Sequence, residues 1–162
     1  ANFKESVSDI TDRKQVSEHI IKILKKEAFD KAGLIYGLGH AIYTLSDPRA
    51  ILLKEKARAL ANEKNMMEEF TLYELIEELS PGLFCEVKKD NKVISANVDL
   101  YSGFVYQMLD IPLDLYTPLF AISRIPGWCA HRIEEITTSG RIIRPAYKAI
   151  LPSMPYVPLS NR

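Results

Sequence analysis

Cysteine is scarce in this chain of 162 residues: Cys85 and Cys129 are its only two. Two cannot build a disulfide framework, and neither stands at metal-ligand spacing from other donors. A reducing, cytoplasmic setting is the default that follows. Long apolar runs are missing as well, since none approaches the ~18 residues of a membrane-spanning helix. No secretory leader is recognisable, and Ala1 opens a charged stretch, as a cut piece of a longer chain would. Net charge is zero, with 21 basic and 21 acidic residues. That balance removes any electrostatic argument for nucleic acid or an acidic membrane as partner. It hides a local bias: residues 139–162 hold no acid, and Arg141, Arg144, Lys148 and Arg162 give that stretch +4 against −4 for the rest.

What the sequence does have is helical patterning, in a chain long enough for one domain. Asp12 to Phe29 reads as an amphipathic helix, with Val16, Ile20, Ile23 and Leu24 at helical spacing and Thr11 or Asp12 as cap. A glycine-rich stretch then breaks the pattern. Asp47-Pro48 is a helix start, an N-cap acid followed by proline at the first helical position, and "RAILLKEKARALANEK" after it is rich in strong helix formers. A third helix fits Met66 to Leu79, with Phe70, Tyr73, Leu75, Ile76 and Leu79 on its apolar side. Residues 83–95 fit either a hairpin or a helix opened by Ser80-Pro81. Val98 to Leu109 and Tyr116 to Thr137 complete the set, the last with a kink expected at Pro126. Pro145, Pro152, Pro155 and Pro158 make 139–162 an extended basic arm. The fold class expected is mostly α, with residues 1–138 helical and the arm beyond.

Three glycines, a histidine and an Asp-Pro-Arg step fall within "GLIYGLGHAIYTLSDPRA", residues 33–50. Glycine lets backbone approach a ligand closely, and loops often carry sites; the plain alternative for His40 is a loop histidine satisfied by a neighbour. Arg49, in the first turn of its helix, works against the helix dipole; it is either solvated or held by an anion. Asp99 in "NVDLYSG" is a helix cap or a desolvated carboxylate of raised proton affinity. Arg124 sits among apolar residues in "PLFAISRIPGW", and a buried ion pair with Asp99 would explain both. One acid, one histidine and two or three arginines from separated segments suit a small polyanion. Arginines grip carboxylates, a carboxylate can remove a proton beside a carbonyl, and a histidine can polarise that carbonyl.

The stretches "YGLGHAIYTLSDPRA", "NVDLYSG", "TPLFAISRIPGWCAHRIEE" and "RIIRPAY" stand in the order and rough spacing of citrate synthases, from about Ile35 to Tyr147. The resemblance implies a concrete site. His40 resembles the histidine that hydrogen-bonds the oxaloacetate carbonyl, and Asp99 the base that takes a methyl proton from acetyl-CoA. Arg49 and Arg124 look like the arginines that hold oxaloacetate and citrate carboxylates. Arg144 resembles the arginine that reaches across a homodimer into the partner's site. The loop of Ile35, Tyr36, Gly37, Leu38 and Gly39 is similar to the backbone stretch that meets CoA. The implied reaction is an aldol-type condensation followed by thioester hydrolysis, without metal or redox cofactor, because the CoA thioester is itself a substrate.

Two departures from the family pattern stand out. Thr44 occupies a place where many members carry a Lys or Arg toward a CoA phosphate. The upstream histidine of a "GxxHGGA"-like motif is absent; His19 reads as a solvated residue on a charged helix face, and His131 as packed or capping. The chain is therefore expected to be a C-terminal piece, the helical small domain with a return helix at 116–137 and the arm, lacking a large domain and inactive alone. The apolar run "LYTPLFAISRIPGWCA" is expected to be partly uncovered without it. Two rivals remain: 2-methylcitrate synthase, which uses propionyl-CoA and shares every motif named, and a noncatalytic helical module that keeps the fold.

Overall fold

Asx side chains set the starts of three helices. In the computed structural model, which describes residues 2–90 and 92–138, α1 is Asn2–Ser6 and α2 Arg13–Leu24, followed by α3 Pro48–Glu63, α4 Met67–Lys88 and α5 Val98–Met108. A 3-10 turn at Leu113–Leu115 leads into α6, Tyr116–Thr138. Asp12, Asp47 and Asn97 cap α2, α3 and α5, each accepting from the backbone N–H two residues on. Each such cap contributes about 1 kcal/mol. No strand occurs among the described residues; one isolated antiparallel bridge joins Leu38 to Ala96.

The chain divides into two compact units, Ala1–Leu119 and Phe120–Arg162, the boundary falling within α6. In the first, α2 packs along α4 and α3 along α5. Val16, Ile20 and Leu24 of α2 meet Phe70, Leu72 and Ile76 of α4 and Leu100, Tyr101, Phe104 and Met108 of α5 in one buried cluster. Ala57 and Ala61, four apart and fully buried, let α3 approach closely. A hydrogen-bonded link crosses three helices: Glu77 Oε2 accepts from Lys54 Nζ and from the Tyr101 hydroxyl, both at 2.6 Å. Burial of the ring and this bond raise the Tyr101 pKa.

The structure corrects several expectations. The first long helix stops at Leu24, not Phe29. Lys26 takes φ +67, its N–H bonds Ile23 C=O at 3.0 Å, and Glu27 N–H bonds Lys22 C=O at 2.9 Å. These two bonds make a Schellman end without glycine. Asn65 and Asp110, at φ +56 and +55, end α3 and α5 with the same bond pattern. Residues 83–88, left open between hairpin and helix, continue α4 straight through Pro81. Leu79, Leu83, Phe84 and Val87 extend its apolar stripe and pack on the core, which outweighs the hydrogen bond that proline removes. Helix α6 covers the expected range, with Pro126 inside it.

His19 is buried at 6% exposure rather than solvated. Its ring meets Phe3 edge-on at 4.7 Å, and burial, then the nearby Lys22 charge, lower its pKa. On α6, His131 is exposed, its Nδ1 3.8 Å from Glu134, so it neither packs nor caps. Phe120, Ile122, Ile125 and Trp128 on the same helix are between 47% and 59% exposed. No helix among the described residues is long and apolar enough to cross a membrane. The proline-rich stretch 139–162 lies outside the described residues.

Candidate functional site

The glycine loop is fixed by the segment that starts α5, more than fifty residues away. Gly39 N–H donates to Ser95 C=O at 2.7 Å, and Asn97 N–H donates to Gly37 C=O at 2.9 Å. Asn97 works twice more: its Nδ2 donates to Gly39 C=O at 2.8 Å, while its Oδ1 accepts from Asp99 N–H at 2.9 Å. Gly37 and Gly39 hold φ of +86 and +87, the region glycine enters freely. A Cβ at Gly37 would lie 2.7 Å from Leu100 Cα, whereas one at Gly39 would meet open space. Gly37 is thus required by contact as well as by conformation.

His40 follows directly. Its Nδ1 accepts from the backbone N–H groups of Ile42 and Tyr43 at 3.0 and 3.1 Å. A nitrogen accepting two N–H bonds carries no hydrogen, so the ring N–H is on Nε2. Arg49 Nη2 lies 3.3 Å from that Nε2. In this tautomer both are donors, so the contact sets two N–H groups side by side. Tyr43 closes one side, its ring 4.9 Å from His40 and 5.7 Å from the Arg49 guanidinium.

Arg49 is held by an anion of its own chain and still reaches solvent. Asp47, 1% exposed, accepts from its Nε and Nη2 at 3.0 and 2.9 Å, while the arginine side chain remains 53% exposed. The same side chain receives Val98 N–H at 3.2 Å, tying the starts of α3 and α5 together. Hydrogen bonding and charge from Arg49, with Val98 adding to them, outweigh burial and hold the Asp47 carboxyl at about 2. Arg49 is pushed upward, first by Asp47 and last by the charge of Asp99.

Asp99 sits in the first turn of α5 and is exposed. It is neither the cap, which is Asn97, nor a desolvated carboxylate. A cleft of about 660 Å³ opens beside it, lined also by Ile35, Tyr36, Gly37, Leu100 and Tyr116. His40, Arg49, Asp99 and the loop Ile35, Tyr36, Gly37, Leu38 and Gly39 are therefore brought to one corner. Arg124 lies on α6 in the second unit, exposed, with its guanidinium 5.4 Å from the Phe120 ring. Thr44 is exposed on the loop between His40 and Asp47, and Arg144 lies outside the described residues. Three contributors went unassigned from sequence: Tyr43, Asn97, and Asp47 beyond its cap. Only Asn97 left a signal, an Asx two residues ahead of an acid at a helix start.

Chemically, two adjacent donors suit an oxygen of a carbonyl or carboxylate, and an accessible carboxylate at the rim of a partly apolar cleft suits proton removal. No group of three metal-ligating side chains is gathered among the described residues.

A family model described as the citrate synthase C-terminal domain matches residues 2–146. The citrate synthase of Synechocystis sp. is 43% identical over 129 residues, covering 79% of this chain and 31% of the relative. The 2-methylcitrate synthase of Shewanella oneidensis is 32% identical over 162 residues, covering 98% of this chain and 39% of the relative. The solved ternary complex of Thermoplasma acidophilum citrate synthase with carboxymethyl coenzyme A and oxaloacetate matches with a TM-score of 0.58 at 29% identity, over 91% of this chain and 42% of that one. These matches define the class first, the C-terminal domain of an all-helical enzyme. More particularly, the chain belongs to the citrate synthase family. It spans about a third to two fifths of the length of the relatives it matches.

Proposed function

We propose that this chain supplies one side of a site that condenses acetyl-CoA with oxaloacetate and hydrolyses the thioester, giving citrate and CoA. The observation that carries this reading is the pair of donors, His40 Nε2 and Arg49 Nη2, 3.3 Å apart at a corner shared with Asp99. That spacing suits the neighbouring keto and carboxylate oxygens of a 2-oxo acid. His40 donates to the keto oxygen and draws charge onto it, and Arg49 holds the adjacent carboxylate. Asp99 takes a proton from the thioester methyl group, leaving an enol or enolate that attacks the polarised keto carbon. The loop of residues 35–39 lies along the CoA, with Gly37 and Gly39 allowing its backbone close approach. The thioester supplies both the acidity of the methyl group and the driving force of hydrolysis.

In this reading Arg124 and Arg144 add further carboxylate contacts, the latter across a homodimer, and a large domain outside this sequence completes the site in a cytoplasmic enzyme. The 162 residues alone are then inactive. The test is thiol release from acetyl-CoA plus oxaloacetate by the longest natural chain that contains this segment, with propionyl-CoA and an Asp99→Ala variant alongside. Release that favours acetyl-CoA and is lost in the variant is the expected result. A preference for propionyl-CoA would make the enzyme a 2-methylcitrate synthase. No release by a folded chain would reduce the site to inherited scaffold, and turnover by the isolated segment would contradict the need for a second domain.

A further inference from the structure

The buried carboxylate of Asp47 does more than a helix cap requires. Capping α3 needs only the bond from Arg49 N–H to Oδ1, at 3.0 Å, and serine or asparagine serves that purpose as well. Three further donors reach the same carboxylate. Arg49 Nε meets Oδ1 at 3.0 Å, Arg49 Nη2 meets Oδ2 at 2.9 Å, and Val98 N–H meets Oδ2 at 3.2 Å. The carboxylate thus takes the guanidinium side-on, through Nε and one Nη2 hydrogen. It leaves the other edge, Nη1 and the second Nη2 hydrogen, pointing away, with Nη2 3.3 Å from His40 Nε2. Arg49 itself has a side chain 53% exposed, against 0% for Asp47, so the buried partner fixes the accessible one.

We propose that Asp47 is a positioning residue, which holds Arg49 by its Nε edge so that the opposite edge meets a substrate carboxylate beside His40. This rests on the reading of the corner as an oxaloacetate site. The bond from Val98 keeps the carboxylate from following the arginine if it swings, because Oδ2 is anchored to the start of α5. With its pKa at about 2, Asp47 stays ionised at any working pH, as a permanent partner for a cation must. A neutral amide of the same size cannot replace it. In either orientation the NH2 of asparagine would face an N–H donor of Arg49.

The experiment is steady-state thiol release by the longest natural chain containing this segment, with oxaloacetate varied at saturating acetyl-CoA. Wild type is compared with Asp47→Asn, Asp47→Ser, Arg49→Gln and the Asp47→Ser/Arg49→Gln double variant. Serine keeps the α3 cap, so Asp47→Ser keeps the test available if Asp47→Asn fails to fold. The expected result is a rise of about tenfold or more in KM for oxaloacetate in the Asp47 variants, with a smaller change in KM for acetyl-CoA. In the Arg49→Gln background, Asp47→Ser adds less than about twofold, because its effect runs through the arginine. A lowered melting temperature with an unchanged oxaloacetate KM would leave Asp47 a cap only and overturn the inference, as would full additivity with Arg49→Gln. If wild type releases no thiol, it is the condensation reading that fails. Oxaloacetate binding measured by calorimetry on the same variants then decides the role of Asp47 by the same comparison.

Discussion

Two regions of the helical unit are held together by different means. In the core that α2, α4 and α5 share, the contacts are apolar side chains repeating at helical spacing, and Val16, Ile20, Phe70 and Phe104 are fully buried. Where the loop of residues 37–47 meets the start of α5, hydrogen bonds make the links. Asn97, Asp47 and a few backbone groups join residues some fifty positions apart. The first region is tolerant of surface change and sensitive to volume. The second buries little area, yet it sets the direction of three side chains, so small changes there affect chemistry before stability.

This contrast can be broken or sharpened by substitution. The largest effects come from one residue in each region. Phe70→Ala, in the core, removes a ring packed near Tyr101 and Phe104 and costs about 3–5 kcal/mol of stability; urea unfolding reads it. Asp99→Ala, at the corner, lowers turnover of the longer chain by roughly 10²–10⁴-fold. It changes folding stability by no more than about 1 kcal/mol, the worth of an acid in a first helical turn. If the two variants lose stability equally, the separation of the regions is wrong.

The two glycines sharpen the contrast within the corner. Gly37→Ala drives a Cβ to 2.7 Å from Leu100 Cα, and costs about 1–3 kcal/mol by overpacking in addition to backbone strain. Gly39→Ala has open space around it and pays only for its backbone angle, about 1 kcal/mol. Thermal unfolding should rank them in that order.

Asp47 gives the corner an acid-sensitive link. Its carboxyl is held at about 2, below its ordinary 3.8, so the native state binds the proton less readily than the unfolded chain. The stability it confers is full above pH 3.8 and is lost as pH falls through about 2. The stability gap between wild type and Asp47→Ser should therefore narrow over that window when followed by circular dichroism. The smallest effect is expected at Arg13 and Glu78, whose side chains are 57% and 60% exposed. Glu78→Gln should cost less than about 1 kcal/mol.

The apolar region was the more legible in the sequence. The spacing of Val16, Ile20, Ile23 and Leu24 and the caps at Asp12 and Asp47 place α2 and α3 without help from tertiary contacts. The end of α2 was less so, because Lys26 takes a left-handed angle that its residue type does not announce. The proline in α4 misled for a related reason. It signals a break, but the apolar stripe from Ile76 to Val87 decides the outcome through packing that local rules do not see. His19 misled because Glu18 and Lys22 make its helix face read as charged, while in space its ring packs against Phe3. At the corner, His40, Arg49 and Asp99 stood out by residue type and by motif. Their holders did not, since the pairings of Asp47 with Val98 and of Asn97 with Gly39 exist only once the chain has folded.

The most direct measurement is the affinity of the longer natural chain for oxaloacetate, by calorimetry without CoA, for wild type, His40→Ala and Arg49→Gln. Saturable binding is expected in wild type, with a loss of about tenfold or more in each variant. The melting temperature is little changed in His40→Ala and lowered in Arg49→Gln, which leaves the buried Asp47 carboxylate without its cation. Wild-type affinity retained in both variants would show that His40 and Arg49 do not receive the 2-oxo acid, and would contradict this site.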